Sequence, residues 1–255
     1  MKPVKALLRG IFFVFFITMA LAGISGILSS APAATFKNPL NNSAPDPFIT
    51  YYNGYYYMAA TSWGGTAGTG LTMRKAATIA ALQTAPQTRI WYDSTSSRCC
   101  NMWAPEFYLI KGKWYGYYTA GPTACCDGQR LHVIESSGTD PMGPYTYKGQ
   151  LSDTTGGWMI DGSILQLNSK LYLLFSAWSG SNQNVYIAGM SNPYTVSGNR
   201  VLISTPTYSW EKQGGNTNEG PVAIQRKGKT YVIYSASSCA NQNYALGMLT
   251  LTGSN

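Results

Sequence analysis

Histidine and charge are what this sequence has least of. His132 is the only histidine in 255 residues, and charged side chains make up 11 % of the chain. One imidazole is too few for the zinc sites that rest on two or three histidines. The five cysteines do not make up the shortfall, because Cys99-Cys100 and Cys125-Cys126 are adjacent pairs without metal-site spacing. Residues 34–255 contain no G-x-S-x-G, so the strand–turn–helix elbow that exposes a nucleophilic serine is missing. The run Gly64–Gly70 lacks the Lys-Ser/Thr of a phosphate-cradling loop and reads as an ordinary loop. No basic run is interleaved with aromatics, which argues against nucleic acid as a partner. Carboxylates number only ten. Against these shortages stand 19 tyrosines and 27 glycines, which with Thr, Ser and Trp favour strands and tight turns over helices.

The ends are read next. Lys2, Lys5 and Arg9 form a basic head, Ile11 to Leu28 is an uncharged apolar run, and Ala31-Pro32-Ala33 offers a small-x-small cleavage site. That order is a secretory signal peptide over residues 1–33. A retained membrane anchor is the competing reading, since the apolar run approaches the length of a span, and the small-residue site favours cleavage. Residues 34–255 are then one folded domain of a secreted, extracellular protein with no membrane contact after cleavage. Three of the 18 basic residues lie in the leader, so the net charge falls from +8 to about +5, an ordinary solvated surface. Export permits disulfides. One or two bridges are expected between or within the two cysteine pairs, with Cys239 left over by parity.

Four segments repeat one pattern. They are DPFITYYNGYYYMAATS from Asp46, APEFYLIKGKWYGYYTAG from Ala104, DGSILQLNSKLYLLFSAWS from Asp161 and EGPVAIQRKGKTYVIYSASS from Glu219. Each carries a carboxylate near a Pro or Gly, then a short apolar strand. A two-residue turn follows (Asn53-Gly54, Lys111-Gly112, Asn168-Ser169, Lys227-Gly228), then an aromatic strand ending in small hydroxyl residues. Such runs are hairpin signals. A third strand is traceable at 131–134, 185–188 and 244–248. Asp46, Glu106, Asp161 and Glu219 lie 60, 55 and 58 residues apart. This period, with three or four strands per repeat, predicts an all-β fold, a β-propeller of which four blades are visible; a β-sandwich with a coincidental period is the alternative.

The innermost strand of each propeller blade lines the central axis, so equivalent positions converge there. Counted to the shared aromatic (Tyr57, Tyr115, Tyr172, Tyr231), the carboxylates stand 11, 9, 11 and 12 residues away. On this count Asp46 and Asp161 are equivalent, Glu219 fits with one extra turn residue, and Glu106 points to the same side two residues further along. Carboxylates around one axis suit the cleavage of a glycosidic bond: one protonates the leaving oxygen, another activates water, and an inverting pair stands roughly 6.5–9.5 Å apart. A third raises the acid's pKa by like-charge repulsion and orients it. Trp103 and Trp178, near strand ends, offer flat apolar faces for a sugar, although either is more often a core residue. His132 reads as a packing residue in an outer strand.

The segments Asp46-Pro47-Phe48, Trp103-Ala104-Pro105-Glu106, Ile160-Asp161-Gly162-Ser163 and Asn218-Glu219-Gly220-Pro221, in this order, resemble glycoside hydrolase family 43 from about residue 38 to the end. The resemblance implies a five-bladed β-propeller and inversion at the anomeric carbon. It also implies roles: Asp46 as general base, Glu219 as general acid, and Asp161 as the residue that tunes and orients Glu219. Trp103, Ile160, Ser176 and Trp178 are then expected to bind substrate, with Glu106 in a structural role. The stretch Cys99–Trp103 and the final Gly247–Leu251 look most like secreted exo-acting α-L-arabinofuranosidases. The partner implied is plant cell-wall polysaccharide containing arabinose, either arabinan or arabinoxylan, acted on by a monomer. Endo-arabinanase and β-xylosidase are the alternatives within the family, and a non-catalytic sugar-binding propeller is the alternative outside catalysis. No cofactor is required, and a channel-bound calcium is left open. One departure stands out: the family builds five blades and four repeats are visible, as expected of a chain that lacks the last blade at its C-terminus.

Overall fold

A computed structural model describes residues 35–62 and 70–253. The expected signal peptide, and the glycine-rich run apart from Gly70, lie outside the described residues. Among the described residues no helix is long and apolar enough to cross a membrane.

The four sequence repeats form four antiparallel sheets, each wound from the inside outward in chain order. Blade 1 is β1 (Phe48–Tyr52), β2 (Tyr55–Ala59), β3 (Leu71–Ala76) and β4 (Thr88–Trp91). Blade 2 is β5 (Cys100–Ile110), β6 (Lys113–Gly121), β7 (Arg130–Ser136) and β8 (Tyr145–Leu151). Blade 3 is β9 (Ile160–Leu167), β10 (Lys170–Ser179) and β11 (Asn182–Asn192), with its outer position shared by two short strands, β12 (Thr195–Val196) and β13 (Val201–Ser204), that both pair with β11. Blade 4 is β14 (Asn218–Arg226), β15 (Lys229–Ala236) and β16 (Ala245–Thr250). The innermost strands neighbour one another, β1 beside β5, β5 beside β9 and β9 beside β14, which is the arrangement of blades around an axis.

Turn chemistry sets the hairpins. Asn53-Gly54, Lys111-Gly112, Asn168-Ser169 and Lys227-Gly228 all have positive φ at both residues. That is the type I′ turn, whose twist matches the flanking strands. All four loops are two residues long and place Thr50, Tyr108, Leu165 and Ile224 opposite Tyr57, Tyr115, Tyr172 and Tyr231. The fourth repeat therefore holds no extra turn residue. Glu219 instead lies one residue nearer the N-terminus than the position shared by Asp46 and Asp161.

Burial between blades supplies the core. Phe48, Leu71 and Met73 pack on Phe107 and Trp114 between blades 1 and 2. Tyr117, Leu131 and Val133 pack on Ile164 and Phe175 between blades 2 and 3. Each such side chain is worth about 1.5–3 kcal/mol when fully buried. The junction of blades 3 and 4 is smaller, resting on Val185, Tyr234 and Ala236. It leaves an apolar groove of about 600 Å³ lined by residues such as Leu165, Val201, Val232 and Leu249. Strand alternation turns Ile224, Leu246 and Met248 to the opposite face of blade 4, where they are 46 %, 72 % and 61 % exposed.

Candidate active site

The site begins with a backbone irregularity that recurs once in every blade. Near the axis, two residues of the innermost strand face one residue of the next strand. Asp46-Pro47 face Ala60, Ala104-Pro105 face Tyr118, Asp161-Gly162 face Phe175, and Gly220-Pro221 face Tyr234. The first residue of each bulge is left-handed, with φ of 52° at Asp46, 43° at Ala104, 56° at Asp161 and 59° at Gly220. Glycine adopts this conformation freely, and aspartate enters it more readily than most residues. A bulge bends its strand and re-aims the side chain beside it. Here every blade contributes its bulge and the residue just before it to one pocket of about 740 Å³, so that Asp46, Trp103, Ile160, Asp161 and Glu219 share its wall. Glu106 and Ser163, two residues further along their strands, line the same pocket about 7 Å deeper.

Hydroxyls tie successive bulges together. Thr61, paired across the hairpin from Pro45, donates its O–H to Asp46 Oδ2, and its Oγ1 accepts the N–H of Ala104 at 2.8 Å. Thr119, in the same place one blade on, accepts the N–H of Asp161 at 3.2 Å. At the third junction the pattern changes. The N–H of Gly220 donates to Asp161 Oδ2 at 2.9 Å, and the equivalent hydroxyl, Ser176 Oγ, is buried without a partner among the described residues. Asp161 has taken over the link, and its carboxylate is thereby pinned beside Glu219.

The scarcity of acids makes their distribution informative. Asp93 pairs with Arg98, Glu135 with Lys113 and Lys148, and Asp153 with Arg200. Glu211 accepts four hydrogen bonds, from the N–H groups of Thr207 and Tyr208 and from the side chains of Asn218 and Tyr234. Asp46, Glu106, Asp161 and Glu219 have no ion-pair partner among the described residues. Burial, then the charges of Glu219 and Asp46, push the Asp161 carboxyl well above the usual range. Burial also raises Glu219, with the Asp46 charge adding to it and hydrogen bonds from Gln183 and Tyr244 working against it. Burial lifts Glu106 to about 7, opposed by the Tyr108 hydroxyl. This is a pocket that favours at least one protonated carboxyl near neutrality, beside an acid at the exposed rim.

The sequence profile of glycosyl hydrolases family 43 matches residues 36–255. The chain belongs to glycosyl hydrolase family 43. Two curated members resemble it closely. One, the extracellular exo-α-(1→5)-L-arabinofuranosidase of Streptomyces avermitilis, is 38 % identical over 88 % of this chain and 47 % of its own length. The other carries the same name in Streptomyces chartreusis and is 33 % identical over 91 % of this chain and 71 % of its own. The chain thus spans about half the length of the first of these relatives. Among solved structures, an α-L-arabinofuranosidase from Lactobacillus brevis superposes with a TM-score of 0.78 at 32 % identity, over 85 % of this chain and 70 % of that one.

Within this family 43 site the seven residues singled out from the sequence fall into two groups. Asp46, Asp161, Glu219, Trp103 and Ile160 line the pocket. Trp103 and Ile160 hold the same position in their blades that Glu219 holds in its own, directly before the bulge. Ser176 pairs with Ile160 across the hairpin and is completely buried. Trp178, 47 % exposed, lies outside the pocket lining. Its ring packs 5.8 Å from that of Trp158, whose indole N–H donates to the carbonyl of Cys126 on the pocket wall. His132 is buried on β7, sharing a hydrogen bond with the Tyr147 hydroxyl, and burial lowers it to about 4. Among the described residues no group of three or more His, Cys, Asp and Glu has metal-holding geometry. The sulfurs join within the pairs, Cys99 to Cys100 and Cys125 to Cys126, and Cys239 is free and exposed on the pocket wall. Gln183 and Tyr244, which hold Glu219, carried no signal in the sequence.

Proposed function

We propose that this chain is an inverting glycoside hydrolase that releases L-arabinofuranose from arabinan or from arabinoxylan side chains. The observation that carries the reading is the gathering of Asp46, Asp161 and Glu219 around one pocket without a counter-ion. Glu219 acts as general acid: its proton passes to the glycosidic oxygen as the bond from that oxygen to the anomeric carbon breaks. Asp46 acts as general base: it takes a proton from a water attacking the anomeric carbon from the opposite face. The new C–O bond has inverted configuration. Solvent exchange then reprotonates Glu219 and deprotonates Asp46. Asp161, fixed by the Gly220 N–H beside Glu219, tunes and orients it, while the Asp46 charge adds to burial in raising its proton affinity. Trp103 and Ile160 pack against the sugar, and Trp178 with Trp158 offers a face further out. Ser176, buried beside its cross-strand partner Ile160, supports the wall. The reaction runs on carboxylates and takes no cofactor.

The names of the Streptomyces and Lactobacillus relatives support arabinose as the released sugar, and the extracellular naming of the former supports secretion. For the scaffold we propose a five-bladed closure, which would cover the exposed Ile224, Leu246 and Met248.

Replacing Glu219→Gln or Asp46→Asn is expected to lower kcat on an unactivated arabino-oligosaccharide by about 10²–10⁴-fold while sugar binding persists. Because the acid must carry its proton, wild-type kcat falls as pH rises through the Glu219 pKa. Full activity in either variant removes that residue from its role. Proton NMR of the first-formed anomer should show inversion, and retention would exclude the mechanism. The uncovered face of blade 4 favours a second reading for the chain on its own, a sugar-binding propeller without turnover. Binding of arabino-oligosaccharide with no release of reducing sugar would establish it.

A further inference from the structure

Glu219 is gripped on both carboxylate oxygens by residues from two different blades. Gln183, the second residue of β11, donates its side-chain N–H to Glu219 Oε2 at 2.8 Å. Tyr244, directly before β16, donates its hydroxyl to Glu219 Oε1 at 3.0 Å. The two donors differ in what they can do. Gln183 is 4 % exposed, and its backbone N–H is tied to the Asn216 carbonyl at 3.0 Å, so it is anchored to the segment that leads into β14. An amide N–H donates and never accepts. The oxygen facing it stays the unprotonated, carbonyl-like oxygen when the acid gains its proton. Tyr244 is 37 % exposed on the pocket wall, and a phenol both donates and accepts. It can bond Oε1 with or without a proton there, and it can give way to an incoming glycosidic oxygen.

We propose that Gln183 and Tyr244 are positioning residues that confine the transferable proton of Glu219 to Oε1, Gln183 as the fixed partner of Oε2 and Tyr244 as the yielding partner of Oε1. This rests on the reading of Glu219 as the general acid. The groups facing Glu219 are Asp161 on blade 3, Asp46 on blade 1, and Tyr244 and Cys239 on blade 4, while Glu106 on blade 2 faces Asp161. Burial and the Asp46 charge favour the protonated form. The two donors oppose them by favouring the carboxylate. Removing a donor therefore raises the Glu219 pKa and frees the proton to sit on either oxygen.

The test uses the full chain, wild type and the variants Gln183→Met, Tyr244→Phe, Glu106→Gln and Glu219→Gln. The sequence holds four glutamates, Glu106, Glu135, Glu211 and Glu219, so ¹³C labelling of the glutamate carboxyls gives a spectrum that the last two variants assign. Gln183→Met and Tyr244→Phe are each expected to move the Glu219 titration upward by about one pH unit, as loss of a hydrogen bond to a charged group requires. In turnover, Gln183→Met should lose at least tenfold more kcat on 1,5-α-L-arabinotriose than on 4-nitrophenyl α-L-arabinofuranoside, whose leaving group needs little protonation. A variant that merely loosened the fold would lose both alike. Tyr244→Phe removes a single oxygen and keeps the titration readable if Gln183→Met does not fold. An unmoved titration in both variants overturns the proposal even where Glu219→Gln abolishes turnover. Full turnover of arabinotriose by Glu219→Gln overturns the acid assignment instead, and with it the use of the grip in catalysis.

Discussion

Glu106 sits below the other three acids with burial raising its pKa to about 7 and only the Tyr108 hydroxyl, at 3.0 Å, in opposition. A carboxyl whose folded pKa exceeds its unfolded one binds its proton more tightly in the folded state. Its favourable contribution is complete below about pH 4.5 and is lost as pH rises through about 7. Glu106→Gln keeps an acceptor for Tyr108 and removes the ionisable group. The variant should match wild type near pH 4.5 and exceed it by about 1–3 kcal/mol at pH 8, read from urea unfolding at the two pH values. Equal stability of the two proteins at pH 8 would show that Glu106 ionises there without penalty. At this scale the sequence was informative about which acids converge on one pocket, because Asp46 and Asp161 share a count to their tyrosines. It was silent about what holds Glu219. Gln183 and Tyr244 lie 36 and 25 residues away from it, and no local periodicity links them to it.

The hairpins are the elements most legible in the sequence, since a two-residue turn needs positive φ twice and Asn-Gly or Lys-Gly announces it locally. The third repeat is the weak one: Ser169 stands at φ 61° where its three counterparts are glycine. Ser169→Gly should stabilise the chain by about 0.5–1 kcal/mol by relieving the left-handed penalty, net of the entropy glycine adds to the unfolded state. The turn lies at the end of the β9–β10 hairpin opposite the pocket, so kinetics on arabinotriose should not change. Thermal unfolding of the two proteins checks the first statement and steady-state rates the second. The bulges were not legible. They add one residue to each innermost strand without any residue type common to all four: the first position holds Asp, Ala, Asp and Gly. Counting along repeats therefore placed an extra residue in the fourth turn, when the difference was that Glu219 precedes its bulge and the aspartates begin theirs. Ser176, paired with Ile160, is completely buried and does not reach the pocket lining, which counting along repeats could not foresee.

For the whole molecule, packing weakens at the last junction, that of blades 3 and 4, from the dense clusters around Phe107 and Phe175 to the small one around Val185 and Tyr234. Blade 4 has apolar side chains on both faces, and only one is turned to another blade. A contiguous exposed apolar face promotes association. The chain expressed alone should show concentration-dependent sedimentation and bind a hydrophobic dye, and Leu246→Lys with Met248→Lys should reduce both. A monomeric, sharply unfolding, fully active wild-type chain would remove the need for a fifth blade over that face.

The bulge that recurs in every blade has a consequence for redesign. Its backbone sets the aim of a side chain irrespective of which residue occupies it, as four different neighbourhoods sharing one φ attest. It is a socket, and the chemistry is a matter of what is plugged in. Blade 2 fills its socket with Ala104, the one occupant there that neither needs nor favours the left-handed conformation. An aspartate written at 104 would enter with the same aim as Asp46 and Asp161, in a conformation that suits it better than it suits alanine. The axis could then carry one more charge with no loop rebuilt and no strand re-registered.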